Sequence, residues 1–297
     1  MKEIKVYSIS SLTDAIGYHN KILETTDTFK LNFQKSQFIR NNYLSIIGLA
    51  LEKCDNEFEI IEPLDNGVYK AMRTNGFLSE FTELSKSDDT YKTMIKYTQI
   101  PLNNYDEVSA FFAYFDTQLK RKVLNTSDKL LNKIMQKILE LFSNVFRHSQ
   151  SELGLFCSGQ FYPKNEQFYF TIVDGGVGIP HNVNSYLKED FNSNKGMFSL
   201  KKFQNKSDEE CIEWAMQERN STTGAGGLGL ALLEELILKS DGELEIISKQ
   251  GYYGIKNGKK VLRKLDNSFN GTVISIGLNT NSSKYYFLKG EKNENRD

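Results

Sequence analysis

The chain has 297 residues, of which 39% are hydrophobic and 25% charged, enough apolar material for at least one sizeable core with room for a second. A net charge of −1 excludes a global pull toward nucleic acid or an anionic membrane, though a local basic patch stays open. Three scattered cysteines, Cys54, Cys157 and Cys211, have no metal-type spacing; with no apolar segment of signal-peptide length in MKEIKVYSIS, they predict reduced thiols and a cytoplasmic location.

In chain order, FKLNF (29–33) and EFEII (57–61) read as short strands. Between them, residues 37–54 read as a helix with Phe38, Ile46, Leu49 and Leu51 among its apolar positions. TMIKYTQI (93–100) is a further strand, stopped by Pro101, and a helix is expected over 105–122. A domain boundary is expected near residue 102, separating an N-terminal α/β domain (1–102) from a second domain (103–282). Residues 283–297 form a polar tail expected to be disordered. No run approaches the ~20 apolar residues of a membrane span.

The segment 127–151 carries more chemistry. Ser127 or Asp128 can cap a helix in which Leu131, Ile134, Ile138, Phe142 and Val145 make a buried stripe. Lys137, Glu140, Asn144 and His148 share another face, one turn apart. A solvated helix face explains such a row, and so does a general base beside a metal ligand: Asn144 offers a neutral oxygen suited to magnesium, and Glu140 could take a proton from a nucleophile.

Residues 166–174 form an aromatic and β-branched strand that ends at Asp174 and runs into Gly175, Gly176 and Gly178. Glycines there remove side chains where a flat ring would approach the backbone, and Asp174 would present an acceptor to an exocyclic amine. A calcium loop or a tight turn would also give D-G-G-x-G, although calcium wants more carboxylates than this stretch holds. Next, STTGAGGLGL (221–230) runs into an apolar helix from about Leu228 to Lys239, with backbone amides placed to hold an anion, or else it is a plain flexible turn. It matches neither a P-loop nor a dinucleotide fingerprint. ELEIIS follows as a strand after Gly242, and FNGTVISIGL (269–278) is another, with Thr272 behind Gly271.

In this order the four pieces resemble the GHKL superfamily of ATP-binding domains, which spans gyrase, heat-shock chaperones, histidine kinases and mismatch-repair proteins. The resemblance covers about residues 105–280. Glu140 and Asn144 resemble its N box, 174–178 its adenine box, 224–230 its phosphate-binding glycine box, and Gly271–Thr272 its last adenine-side strand. The resemblance implies an α+β class with a two-layer α/β sandwich of the Bergerat type, here preceded by a small α/β domain. It also implies ATP and magnesium as cofactors. Asp174 would bind the adenine amine with help from Thr272, Asn144 would hold magnesium, and Glu140 would be the base. Gly224, Gly226, Gly227, Leu228, Gly229 and Leu230 would surround the phosphates. Thr222 and Thr223 would lie near the γ-phosphate, and Arg147 stands where family kinases often carry a phosphate-contacting lysine. His148, Gly176, Gly178 and Ile179 complete the expected site. Residues 180–225 would be the lid, with a helix over 207–218 and Trp214 in lid packing.

The helix of 105–122 holds no histidine, which argues against self-phosphorylation of the histidine-kinase type. Gyrase and mismatch-repair proteins would need a transducer domain, and the chaperones a middle domain, after the last strand; no such domain is expected from the residues after 278. E-x3-N-x3-H also resembles bacterial anti-sigma serine kinases, whose lids are shorter. The first hundred residues resemble a STAS domain weakly: the usual phosphorylated serine is missing, and Arg40, Asn41 and Asn42 stand there instead, with Ser45 further along. Such a domain would dock on the ATPase domain or on a partner; a plain α/β cap explains it as well. Two expectations follow. One is slow ATP hydrolysis as a conformational switch read by a protein partner encoded nearby. The other is a serine/threonine protein kinase acting on a separate, STAS-like or other, partner. Neither involves a membrane, and a homodimer is left open.

Overall fold

The computed structural model describes residues 1–101, 105–122, 127–194, 203–217, 234, 237, 238 and 241–280. The protein is of the α+β class. Its N-terminal unit runs β1 (Lys2–Lys5), β2 (Ser8–Ile9), α1 (Leu12–Leu23), β3 (Phe29–Asn32), β4 (Phe38–Ile39), α2 (Leu44–Lys53), β5 (Phe58–Ile61), α3 (Asn66–Asn75) and α4 (Phe77–Phe81). Strands β1, β3 and β5 form a parallel sheet in that order, and β2 pairs with β4. Ser11 and Asp14 make a reciprocal capping box that starts α1. Asp65 caps α3, and Gly76 ends it in the left-handed region at φ 97°.

The helix expected over 37–54 is shorter than its periodicity predicts. Phe38 and Ile39 pair with β2, a single 3-10 turn covers Asn41–Tyr43, and α2 starts only at Leu44. Asn41 and Asn42 are drawn out of helical register by partners on a distant sheet.

That sheet has five antiparallel strands in the order β6 (Met94–Ile100), β7 (Leu155–Tyr162), β8 (Gln167–Asp174), β10 (Lys259–Asn279) and β9 (Glu243–Lys256). Strand β6 precedes the expected boundary near residue 102, yet its backbone bonds run to β7. Helices α5 (Tyr105–Lys122) and α6 (Asp128–His148) match their expected spans, and Ser127 caps α6 through the Leu130 N–H at 3.2 Å. Helices α7 (Ile179–Asn194) and α8 (Asp208–Met216) follow β8, and α8 starts on a Ser207–Glu210 capping box. Strands β9 and β10 run well beyond the expected ELEIIS and FNGTVISIGL. They make a long hairpin closed by Asn257 and Gly258, both at positive φ (51° and 69°).

Alternation along the strands gives the sheet two buried faces. Phe168, Phe170 and Ile172 of β8, with Ile274, Ile276 and Leu278 of β10, pack under Phe111 and Phe115 of α5 and Met135, Ile138 and Phe142 of α6. On the other side, Phe156, Val173, Ile247 and Val273 share a core with Leu44, Ile47 and Leu51 of α2 and with α1. The N-terminal unit thus packs on the sheet as a third layer. Among the described residues no helix is long and apolar enough to cross a membrane, and the three cysteines are free.

Candidate functional site

Three polar residues end the helix face of the sheet in one row. Thr272 of β10 stands in register with Asp174 of β8 on one side and with Ser248 of β9 on the other. All three share the parity of apolar neighbours, Ile172, Ile274 and Ile246, so the helix-face core gives way to hydroxyls and one carboxylate at this end. Asp174 and Ser248 are buried, and Thr272 is 9% exposed.

Burial lifts the Asp174 carboxyl to about 6. The Gly176 N–H, the Lys53 ammonium and the Thr272 backbone act against that rise. Oδ1 accepts the Gly176 N–H at 2.9 Å. A carboxylate has about four lone-pair sites. The described donors to Asp174 are these two backbone N–H groups. Further acceptor capacity remains on the carboxylate. Ser248 ties the row to the turn after β8: its hydroxyl donates to the Gly271 carbonyl at 2.7 Å and accepts the Ile179 N–H at 2.9 Å.

The turn from 175 to 178 is held against the end of α6. Val177 N–H donates to the Ser149 carbonyl at 2.8 Å. Asn182 Nδ2 donates to the His148 carbonyl at 3.0 Å. A Cβ at Gly176 would collide with that Ser149 carbonyl, and Gly178, at φ 84°, lies against Ser248 and the Gly271 backbone. The sequence assigned this freedom to an approaching ring. In the structure, protein backbone and side chains fill the space a Cβ would take, so the glycines serve chain-on-chain approach.

The backbone of α6 carries positions 140 and 144 one turn apart, followed by Arg147 and His148 in the last turn. The side chains of Glu140 and Asn144 lie outside the described residues. Arg147 is exposed. His148 is half-buried, and burial with the nearby Arg147 charge lowers its imidazole pKa. Ile179 opens α7 and packs against the helix-face core. Thr222, Thr223, Gly224, Gly226, Gly227, Leu228, Gly229 and Leu230, expected around the phosphates, lie outside the described residues, as does the tail 283–297. Within the expected lid, Trp214 of α8 lies 5.7 Å from the Tyr186 ring of α7, which places it in packing between the two helices. Among the described residues no group of three or more His, Cys, Asp or Glu side chains gathers as a metal site.

Two residues, one in the row and one beside it, were missed from sequence. Ser248 ends ELEIIS at an apolar parity position, a polar break that alternation could have flagged. Lys53 comes from α2, and its Nζ donates to the Gly175 carbonyl at 2.7 Å across 122 residues of chain; no local signal announces it. No protein-family model matches the chain, and no curated protein matches its sequence.

Proposed function

We propose that the protein is an Mg-ATP-binding protein of the GHKL type with a Bergerat-type site, which hydrolyses ATP slowly as a conformational switch read by a partner protein. The observation that carries this reading is the buried Asp174 carboxylate in register with Thr272 at the end of the sheet, with the last turn of α6 beside the following turn. A buried acceptor with lone pairs to spare suits an exocyclic amine, and Thr272 stands beside it on the same face. A magnesium ion held mainly by phosphates needs few protein ligands, and by the resemblance Asn144 would supply one. When bound, the metal would supply charge stabilisation to the phosphates. Glu140, one turn before Asn144, would accept the proton of the attacking water. The γ-phosphate supplies the differential contacts that a switch between two states requires.

Calorimetry with a non-hydrolysable ATP analogue, paired with phosphate release from radiolabelled ATP, tests the reading. Asp174→Asn is expected to weaken analogue binding by about 1.5–3 kcal/mol, because the ligand amine loses a charged acceptor. Glu140→Ala is expected to keep binding while turnover falls about 10²–10⁴-fold. Wild-type affinity in folded Asp174→Asn would remove the carboxylate from the site. Wild-type turnover in Glu140→Ala would remove the base. Label appearing on a protein from lysate in place of free phosphate would replace the switch by a protein kinase.

A further inference from the structure

Lys53 closes α2, on the sheet face opposite the Asp174 row, yet it reaches around the strand end to the turn that follows β8. Its ammonium donates to the Gly175 carbonyl at 2.7 Å, and a Cβ on Gly175 would fall on the lysine's own Nζ and Cε. The turn is therefore shaped to receive this side chain. The helix that delivers it is fixed to the sheet at its other end. Asn42 donates to Thr171 Oγ1 at 3.0 Å, the Ser45 N–H donates to Ser158 Oγ at 3.1 Å, and that hydroxyl donates to the Asn42 carbonyl at 2.9 Å. Leu44, Ile47 and Leu51 fill the space between with apolar contacts. A flexible lysine on a helix anchored in this way delivers its charge to one place.

We propose that Lys53 is a positioning residue of the site: from the N-terminal unit it holds the Gly175 carbonyl and sets a positive charge beside the Asp174 carboxylate, so the site is complete only while that unit is seated on the sheet. The role rests on Asp174 being the ligand-binding carboxylate, and the ligand class is a nucleotide with an exocyclic amine. The Lys53 charge lowers the pKa of a carboxyl that burial otherwise raises; burial lowers the pKa of Lys53 itself, and Asp174 acts against that fall. The other charges facing the lysine are Lys249 of β9 and Glu152 of the α6–β7 connection, while His19 of α1 lies within reach of its field and is itself held neutral by burial. Loss of the N-terminal contact thus changes the protonation of a group on the far face without touching the ligand.

The test needs no ligand in its first arm. The carboxyl carbon of Asp174 is followed by NMR through a pH titration of the full chain. The wild-type midpoint is expected near 6. Lys53→Met is expected to raise it by about one pH unit. Lys53→Gln, which keeps a donor but not the charge, serves the same purpose should the methionine variant fold poorly. Lys53→Arg should restore the wild-type midpoint, and Lys249→Met should leave it in place. In the second arm, calorimetry with the ATP analogue is run at pH 6.5 and 8.5. Charge-removing variants are expected to lose about threefold in affinity at pH 6.5 and less at pH 8.5, where Asp174 is ionised in every variant. A midpoint unchanged in folded Lys53→Met and Lys53→Gln overturns the proposal, and so does a shifted midpoint with wild-type affinity at both pH values. If the wild type binds no analogue, the nucleotide reading falls by itself, and the midpoint arm alone decides whether Lys53 governs Asp174.

Discussion

The two faces of β8 solve different problems. Phe168, Phe170 and Ile172 meet the aromatic cluster of α5 and α6, where Phe142 lies 5.4 Å from Phe111, 5.3 Å from Phe112 and 5.7 Å from Phe115. On the opposite face Thr171 accepts a hydrogen bond from Asn42 and donates to Ser275 at 3.2 Å, in a polar seam between sheet and N-terminal unit. Apolar packing is non-directional and accepts many arrangements of similar volume. Buried hydrogen bonds accept few, because a displaced partner leaves an unsatisfied group. Both faces carry apolar cores, and the polar seam within the second fixes how α2 sits and hence where Lys53 arrives.

The largest expected effect is on the helix face. Phe142→Ala would open a void in the aromatic cluster at a fully buried position and cost about 3–5 kcal/mol, read from urea midpoints. A loss below about 1 kcal/mol would show that Phe142 is not closely packed in this cluster.

The second probe addresses the one carboxylate that breaks the apolar parity of that face. The folded Asp174 carboxyl titrates at about 6 against its ordinary 3.8, so the folded state binds a proton before the unfolded chain does. This group therefore makes the fold more stable as pH falls from above 6 toward 3.8. His19 runs the other way. Burial lowers its imidazole to about 4 from 6.5, and the fold loses stability as pH falls through that interval. Because the two slopes oppose each other, the wild-type profile alone is uninformative, and the difference between wild type and Asp174→Asn isolates the carboxylate. The ligand-free variant is expected to be more stable than wild type above pH 6, by up to about 3 kcal/mol, with the gain gone near pH 4. Urea midpoints from pH 4 to 8 check it, and a constant difference across that range would sink the assignment.

The smallest expected effect falls on the seam. Asn42→Ala removes the donor to the Thr171 and Ser275 hydroxyls and should cost about 1–3 kcal/mol. The seam also seats α2, so the Asp174 titration midpoint should move with it. A stability loss with an unmoved midpoint would separate the seam from the site and keep the two faces independent.

Much of the scaffold was legible because its signals are local. Helices α5, α6 and α8 followed from their local patterns, with Ser127 one of two cap candidates for α6, and β8 followed from aromatic and β-branched residues ending at Asp174. The start of α2 was not legible: Asn41 and Asn42 read as ordinary helical residues until their partners Gln160 and Thr171 come into contact. The hairpin arm of β9 and β10 was missed although Asn257-Gly258 is a strong turn signal, because its exposed strand lacks an apolar stripe.

At the candidate site the sequence by itself determined that a carboxylate closes an apolar strand and runs into glycines, since residue type and period 2 are local properties. It also determined the one-turn spacing of Glu140 and Asn144, a consequence of helical pitch. Only the tertiary structure decided that Ser248, Thr272 and Asp174 form one row, because strand register depends on pairing between distant segments. Only the tertiary structure, too, decided what the glycines face and that Lys53 belongs to the neighbourhood of Asp174. Both follow from packing between segments far apart in the chain, and no local window of sequence contains that pairing.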